Sequence, residues 1–538
     1  MSKEMRFEDD ARKAIFEGVR KLSHAVKSTL GPTGRNVLIK RQGFPPIITK
    51  DGVTVAKEVD LEDPYEDLGA ELVREVASKT ASAAGDGTTT ATVLAEAILM
   101  EGAKQLAVKV NAIDLKRGID KAVSVVSSYL DRVAIPINTR EEMLNVATIS
   151  ANGDTEIGDM VAGLVDEIGS EGVATIEKSG SEHTFVEKVD GLQLSGGWTS
   201  PYFATTDDQT KAVWDDAMIL LYNGRISSAK DIALGNANGF LSRVVTSNSP
   251  LIIVAEAVEG EALHLLVLNR VQQKCKFLSV KMPFTTNQSE LLQDLAVLTG
   301  GKVFSKETGH KQLHKIDLND LGRVERVVAS SDKTIFLGGK GNPDEISARV
   351  EDIKNKIEEA DTDAEKRKLK ERAAKLSSGI AVIKVGGASE VEYKEKHDRV
   401  EDALYATQAA IELGIVPGGG VALARAALDV DKMISKMEND DQRKGAQIIS
   451  RALSAPLRQI ATNAGQPGDV VLEKVVTKKD NQFGYDARGN RYANLVDAGI
   501  IDPVKVAKSA IQNAASVSGL MLTTDVVLIE KKLEPNKG

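Results

Sequence analysis

The sequence has 538 residues, which at about 150 residues per domain predicts roughly three or four domains and excludes a single small binding module. Its 78 acidic side chains outnumber its 69 basic ones, and only 4% of its residues are aromatic, so we expect no nucleic-acid partner. The single cysteine excludes an internal disulfide, and the six histidines do not fall at metal-ligand spacing, so we expect no zinc site.

Patterns along the first 132 residues predict a mainly helical domain. Apolar residues at helical spacing predict a long helix over 11–31, which ends at Gly31 and Pro32. Short apolar runs at 36–40 and 47–50 flank a turn at 43–46 and predict a β-hairpin. The helical pattern then resumes over 61–132, with a break at 84–87.

An α/β texture follows between about 172 and 330, where short apolar runs predict strands at 173–176, 218–222, 251–255, 277–280 and 303–304. The charged stretch 341–377 predicts a solvated helical hairpin. After an apolar run at 380–385, helical patterns return from 391 to the end. This return predicts one discontinuous helical domain with an α/β domain inserted into it.

Targeting and membrane signals are lacking. The first ten residues are charged where a secretion signal needs an apolar run. No stretch approaches the roughly 18 apolar residues of a membrane helix. We therefore expect a cytoplasmic protein that does not enter a membrane.

The segment 85–92, with the sequence GDGTTTAT, is the sharpest candidate site. Free amides and hydroxyls at a helix start bind phosphate. Asp86 would repel phosphate unless a cation bridged the two, so the motif favours a nucleotide with Mg²⁺. For a lone Asp-Gly-Thr an ordinary helix N-cap is the better explanation, although three consecutive threonines form helices poorly and need a further reason.

Other candidate residues are weaker when taken alone. The glycine turn at 31–34 could approach a ligand closely, but taken alone it is explained by a helix C-cap. The glycines at 418–420 could also admit a ligand, and a flexible loop explains them comparably well. Asp402 lies off the apolar stripe of its helix, as on a solvated face, and Asp502 precedes a proline, as at the end of an extended segment. Neither a Walker A pattern nor G-x-G-x-x-G occurs.

Nine motifs occur in order over nearly the whole chain: LGP at 30–32, KDGVTV at 50–55, GDGTTTAT at 85–92, DLKRGID at 114–120, ISAN at 149–152, VGG at 385–387, RVEDAL at 399–404, GGGVAL at 418–423 and IDP at 501–503. In these motifs the sequence closely resembles the group I chaperonins, the bacterial and organellar sixty-kilodalton class. The resemblance implies an ATPase that binds non-native polypeptides and promotes their folding inside a homo-oligomer of one or two rings. It also implies a small co-chaperonin lid.

The fold implied by the resemblance is a multidomain α and α/β chaperonin fold. It comprises a discontinuous helical equatorial domain (1–132 and 413–538), a small intermediate hinge domain (133–189 and 381–412) and an α/β apical domain (190–380). This division agrees with the discontinuous domain predicted from the helical pattern.

The resemblance also implies a site for ATP, Mg²⁺ and K⁺. Asp86 would bind Mg²⁺, with Asp402 associated with the ion, and Asp51 and Asp402 would act on the attacking water. K⁺ would lie near Thr29, Lys50 and Thr89. The implied nucleotide contacts are Thr29, Leu30, Gly31, Pro32, Lys50, Gly87, Thr88, Thr89, Thr90, Ile149, Ser150, Gly419, Asp486, Ala487 and Asp502.

In the apical domain the resemblance implies an apolar groove for clients and lid, formed by Trp198, Tyr202, Phe203, Leu241, Leu263, Val267 and Leu268. Some of these residues could instead belong to the α/β core. Asn238 stands where the family usually has leucine, and the stretches 195–203 and 281–288 depart from the family pattern. These departures leave open a ring scaffold without folding activity. A nucleotide-dependent metabolic enzyme is disfavoured, because no motif for a second substrate is present.

Contact between two rings is the last expectation. In double-ring relatives an arginine and a downstream glutamate help the rings meet. Here Arg458 is present, but the segment 465–469 is one residue shorter than usual and leaves Asp469 as its only acidic residue. We expect weakened ring contact if the shorter loop displaces Asp469. A pair between Asp469 and Arg458 of the opposite ring would restore the contact, and both outcomes stay open.

Overall fold

The computed structural model of the protein describes residues 3–40, 46–107, 110–151, 153–168, 173–206, 209–233, 240–272, 275–283, 288–305, 316–360, 362, 365–366, 369, 372–373, 375–376 and 379–530. The backbone divides into two compact units. Residues 1–170 and 390–538 form the first unit, and residues 171–389 form the second. The second unit is therefore inserted into the first. Within the ranges above, every helix is too short or too polar to cross a membrane.

The first unit begins with a strand and then consists mainly of helices. Helix α3 shows how the sequence sets their limits: Asp63 accepts hydrogen bonds from the first amides, Pro64 occupies the first turn, and Gly85 ends the helix. The elements are β1 (Lys3–Phe7), α1 (Glu8–Lys27), β2 (Val37–Ile39), β3 (Ile47–Thr49), α2 (Gly52–Lys57), α3 (Pro64–Ala84), α4 (Thr88–Leu106), α5 (Ala112–Val133), α6 (Arg140–Ser150) and α7 (Thr155–Ile168).

The second unit is an α/β structure built on two sheets. Its elements are β4 (Ala174–Lys178), β5 (Phe185–Val189), β6 (Gly191–Leu194), β7 (Ala212–Ile226), α8 (Ala229–Ala233), α9 (Phe240–Ser247), β8 (Leu251–Val258), α10 (Gly260–Val271), β9 (Phe277–Lys281), α11 (Gln288–Thr299), β10 (Val303–Ser305), β11 (Gly322–Ala329), β12 (Thr334–Gly339), α12 (Pro343–Glu359) and β13 (Ile380–Val385). The larger sheet has the order β6-β12-β11-β7-β8-β9, with β10 also paired to β7. The smaller sheet has the order β4-β13-β5.

The chain then returns to the first unit. Its remaining elements are α13 (Glu390–Leu413), β14 (Ile415–Pro417), α14 (Val421–Ile434), α15 (Asp440–Ala452), α16 (Ala455–Asn463), α17 (Gly468–Thr477), β15 (Phe483–Asp486), β16 (Arg491–Asn494), β17 (Ile501–Pro503), α18 (Val504–Thr523) and β18 (Val526–Glu530). Strand β18 pairs with β1, so the two ends of the described chain meet in one antiparallel ribbon.

The core of the first unit forms where apolar helix faces meet. In α5, Leu115, Ile119, Val126 and Leu130 are fully buried at spacings of three to four residues or their multiples, which places them on one side of the helix. Helix α5 packs against α14, α15 and α18, and its buried residues belong to one core with buried residues of α1, α3 and α4. The first unit is thus a group of packed helices, and the predicted site residues lie both on its helices and strands and in the turns between them.

The predicted helical and α/β regions are present. Strands β2 and β3 form the predicted hairpin, while residues 41–45 of its turn lie outside the described residues. All five predicted strands between 173 and 304 coincide with strands, and α12 forms the first arm of the predicted charged hairpin. The second arm lies largely outside the described residues.

The residues of the predicted intermediate domain divide between the two units. Helices α6, α7 and α13 belong to the first unit, and strands β4, β5 and β13 belong to the second. The division into three domains therefore stays a prediction. Strands β5, β6, β11 and β12, and the ribbon of β1 with β18, were not predicted.

Candidate functional site

The turn between α3 and α4 carries the first candidate residues. Gly85 ends α3 and Gly87 precedes α4, with φ angles of +74° and +83° that glycine adopts without steric cost. Between them lies Asp86, which is exposed to solvent. Because Gly87 has no side chain, the first amides of α4 receive no hydrogen bond from an N-cap side chain. This arrangement suits an anion such as phosphate.

Asp51 lies at the start of a second, short helix. Its carboxylate accepts hydrogen bonds from the amides of Val53 (3.2 Å) and Thr54 (2.7 Å). The next residue, Gly52, packs against α4, since a Cβ atom at Gly52 would lie only 2.1 Å from the hydroxyl oxygen of Thr89. The close approach that glycine allows here brings Asp51 beside the start of α4.

Asp402 reaches the same place from α13. The side chain is half-buried, and the following residues, Ala403 and Leu404, are buried. Burial raises the pKa of Asp402 well above its ordinary value, and the charges of Asp86 and Asp51 raise it further. Tyr405, one turn after Asp402 on α13, packs against Gly85, which places this part of the helix beside the loop of Asp86. The sequence pattern alone assigned Asp402 to a solvated face, and the structure corrects that assignment.

Asp502 completes the cluster from β17, which pairs with β14 so that Asp502 lies opposite Val416. Burial raises its pKa to about 7, the charge of Asp86 adds to the shift, and a hydrogen bond from the amide of Gly420 opposes it. The pKa of Asp86 is raised too: desolvation by the surrounding protein raises it most, the hydrogen bond from the amide of Gly87 opposes the shift, and the charge of Asp51 adds to it. Asp502 therefore belongs to the carboxylate cluster and does not merely end an extended segment.

Carboxylates from four separate parts of the chain thus share one location. The charge of Asp86 raises the pKa of Asp402 and of Asp502, and the charge of Asp51 raises the pKa of Asp86 and of Asp402. Holding these groups together in ionised form therefore costs free energy unless a cation lies among them. Oxygen ligands of high charge density are those that Mg²⁺ prefers. The donor set therefore fits a hard divalent cation beside a helix start that suits phosphate.

The loop after α1 borders this cluster and is held by α16. The side-chain amide of Asn463 donates hydrogen bonds to the carbonyl oxygens of Lys27 and Leu30, each at 2.9 Å. A Cβ atom at Gly31 would lie 3.2 Å from the side chain of Ile460, so α16 also packs directly on the turn. Sequence reasoning missed Asn463, since nothing in its local pattern links it to a loop more than 400 residues earlier.

Thr29 and Lys50 lie at this loop. Thr29 is buried, and its hydroxyl donates to the carbonyl oxygen of Val26 at 2.9 Å. The Lys50 ammonium lies 3.4 Å from the carbonyl oxygen of Pro32, and desolvation lowers the pKa of Lys50. Both residues are therefore close to the turn that contains Leu30 and Gly31, and their contacts with a nucleotide or K⁺ stay a prediction. Of the three predicted threonines in α4, Thr88 is buried, while Thr89 and Thr90 are half-buried.

The residues predicted to contact the base and ribose differ in their exposure to solvent. Ile149 is exposed at the end of α6 and lies against Gly499, while Ser150 is half-buried. Gly419 has open space where a side chain would be. Gly419 therefore leaves room for a ligand.

Asp486 and Ala487, by contrast, are buried in the β15–β16 hairpin. The carboxylate of Asp486 accepts hydrogen bonds from the amide of Gly489 (2.8 Å) and from the guanidinium of Arg491 (3.2 Å). Its interactions thus stabilise the hairpin turn. A contact between Asp486 and a nucleotide stays a prediction.

The predicted apolar groove lies in the second unit, and its residues differ in exposure. Tyr202 is 67% exposed and Leu268 is 44% exposed. Four others are half-buried against the core, namely Trp198, Leu241, Leu263 and Val267. Phe203 is fully buried, so it is a core residue and the structure corrects its assignment to the groove. Asn238 lies outside the described residues.

Two valines on α9 and α10 are also exposed. Val245 on α9 and Val271 on α10 are exposed, and sequence reasoning did not include them. A helical pattern with apolar residues outside the buried stripe could have indicated them. We call Tyr202, Val245, Leu268 and Val271 the apical patch.

A profile of the TCP-1/cpn60 chaperonin family matches residues 22–532. The chain belongs to this family. The predicted chaperonin resemblance is thereby confirmed over nearly the whole length of the chaperonin, and with it the assignment to a class of ATP-dependent folding proteins.

Comparison with solved structures confirms the chaperonin fold. The chaperonin is similar to the chaperonin gp146 from the bacteriophage EL 2 (Pseudomonas aeruginosa), crystallised in the presence of ATP-BeFx. The two share 21% sequence identity with a TM-score of 0.69, and the match covers 98% of this chain and 99% of the phage chain. At this identity the similarity concerns the fold.

Proposed function

We propose that this chaperonin hydrolyses ATP at the cluster of Asp51, Asp86 and Asp402, and that hydrolysis drives the folding of captured polypeptides. The observation that carries the proposal is the convergence of these carboxylates beside the start of α4. The phage chaperonin of the same fold was crystallised with ATP-BeFx, which supports a nucleotide as the ligand.

Each residue has a distinct part in this proposal. The amides and hydroxyls of residues 88–90 bind phosphate oxygens. Asp86 holds Mg²⁺, which when bound offsets phosphate charge and polarises the phosphoryl group. Asp402 orients the attacking water and accepts its proton, since a carboxylate with a raised pKa is a stronger base than an ordinary aspartate. Asp51 stays hydrogen-bonded to α2 and fixes the position of the negative charge beside the water.

We extend the proposal to K⁺ near Thr29, Lys50 and Thr89, because hydroxyl and carbonyl oxygens in this loop suit a monovalent cation. The apical patch would capture non-native clients, since exposed apolar surface binds the apolar side chains that unfolded chains display. The same patch would bind a co-chaperonin lid.

Assembly into rings is supported by apolar side chains exposed on two small ribbons of the first unit. Leu38 and Ile48 lie opposite each other in the β2–β3 hairpin and are 69% and 67% exposed. Met5 and Leu528 face each other in the ribbon of β1 with β18 and are also exposed. Isolated two-stranded ribbons with apolar faces gain stability when another chain covers them.

The test separates metal binding from turnover. Asp402→Ala should keep nucleotide affinity and lose most ATP turnover, whereas Asp86→Ala should also lose the dependence of binding on Mg²⁺. Glu395→Ala, which removes an exposed carboxylate from the same helix, serves as the matched control. Equal turnover in the wild type and Asp402→Ala would refute the assignment of the water to Asp402. Refolding of a denatured client with and without ATP then distinguishes a folding machine from a ring scaffold.

A further inference from the structure

Helix α13 rests directly on the loop that carries Asp86. A Cβ atom at Gly85 would lie 2.2 Å from the Cβ atom and 2.4 Å from the Cγ atom of Tyr405. Such distances leave no room for a side chain, so the base of the Tyr405 side chain occupies the space that glycine leaves free. This contact joins α13 to the end of α3 at one residue.

The opposite end of the loop is held from another direction. A Cβ atom at Gly87 would lie 2.5 Å from the Cγ1 atom of Val506 in α18. The backbone on both sides of Asp86 therefore lies against a neighbouring helix, with Tyr405 at Gly85 and Val506 at Gly87. Because packed side chains transmit displacements of their neighbours, the position of Asp86 follows the position of these two helices.

Tyr405 lies three residues after Asp402, so the two side chains share one face of α13. This face presents Asp402 to Asp86 and Tyr405 to Gly85. The two contacts act in opposite senses, because the carboxylates repel each other while the ring of Tyr405 gains dispersion and apolar contact with the loop. The packing of Tyr405 is thus a contact that holds α13 close to a negatively charged loop.

We propose that Tyr405 is a positioning residue, which sets the distance of Asp402 from the loop of Asp86 by packing on Gly85. The expected effect of Tyr405 on the turnover rate rests on the proposed ATPase function. The structural part of the proposal, that Tyr405 fixes α13 to the loop, is independent of any activity.

The experiment compares three variants of the full-length chaperonin. Tyr405→Ala removes the ring, Tyr405→Phe keeps the ring without its hydroxyl, and Tyr393→Ala removes a half-buried ring from the same helix about 18 Å away along its axis. Steady-state ATP hydrolysis and the affinity for ADP are measured for each. Hydrogen–deuterium exchange of the amides of 399–407 is measured without nucleotide.

We expect Tyr405→Ala to lower kcat by about tenfold or more, because small displacements of a reacting group are costly. ADP affinity should stay within about twofold of the wild type, since the nucleotide contacts remain. Exchange in 399–407 should rise in Tyr405→Ala alone, and Tyr405→Phe and Tyr393→Ala should behave as the wild type.

Three results would overturn the proposal: unchanged kcat in Tyr405→Ala, a loss in Tyr405→Phe as large as in Tyr405→Ala, or a loss of ADP affinity that accounts for the slower turnover. If the wild type itself hydrolyses no ATP, the proposed function fails. The exchange measurement still decides whether Tyr405 holds α13 to the loop, and unchanged exchange in Tyr405→Ala refutes that part.

Discussion

Asp502 should make the nucleotide-free chaperonin less stable as the pH rises. Its pKa is raised from the ordinary 3.8 to about 7. Between these values the folded protein holds a proton that the unfolded chain has released, so folding stability falls with increasing pH. The stabilising proton is fully bound below the unfolded pKa and is lost as the pH rises through about 7.

The size of the effect follows from the shift. Stability falls by about 1.4 kcal/mol per pH unit while only the folded state is protonated. Between about pH 5 and about pH 8 the loss comes to roughly 2–3 kcal/mol, because the slope levels off above the folded pKa. Asp502→Asn keeps the size of the side chain and removes the ionisation, so the stability of this variant relative to the wild type should improve by that amount over the same range.

Urea unfolding in the presence of EDTA, followed by far-ultraviolet circular dichroism at the two pH values, measures the difference. Asp497→Asn, at an exposed position on the preceding turn, is the matched control and should show no such trend. In a protein that keeps Asp502, Asp86→Asn should reduce the loss of stability with rising pH, since the charge of Asp86 adds to the pKa shift of Asp502. A difference between Asp502→Asn and the wild type that is the same at both pH values would refute the reasoning.

Two further predictions concern the surfaces of the assembly. Replacing Tyr202 and Leu268 together by serine should abolish capture of a denatured client while basal ATPase stays unchanged, and capture that persists in a pull-down would place the client site elsewhere. Arg458 and Asp469 form an exposed ion pair at 2.9 Å within one chain, worth about 0–1 kcal/mol, so Asp469 already has a partner and contact between rings should be weak. Analytical ultracentrifugation should then show single rings on dilution or at raised salt, and a double-ring mass under all conditions would contradict the prediction.

Local patterns predicted the parts of the site that depend on backbone conformation. The glycines at 85 and 87 flank a turn onto a helix, and both adopt the left-handed conformation that such a turn needs. The β2–β3 hairpin followed from two apolar runs around a turn. Strand β11 gave no such signal, because the adjacent charged residues Glu325 and Arg326 break the alternation of charged and apolar residues in its sequence.

Contacts between distant segments could not be predicted in this way. Asn463 and Tyr405 carry no local sign that they hold loops far away in the sequence. The burial of Phe203 depends on what covers it, which a sequence pattern does not show. The pKa shift of Asp402 likewise arises from carboxylates elsewhere in the chain, so its helix alone favoured a solvated face.

The ribbon that joins β1 to β18 bears on the order in which the chain folds during synthesis. Lys3 pairs with Glu530, so this part of the first unit cannot close until nearly all of the chain has left the ribosome. The second unit is continuous from 171 to 389, and its sheet pairs strands within that range. Domains generally fold as units during synthesis. The inserted unit can therefore complete its two sheets before the helices of 390–538, against which the early helices of the first unit pack, have been synthesised. A nascent chain of this chaperonin therefore exposes unpaired apolar helix faces for much of its own synthesis.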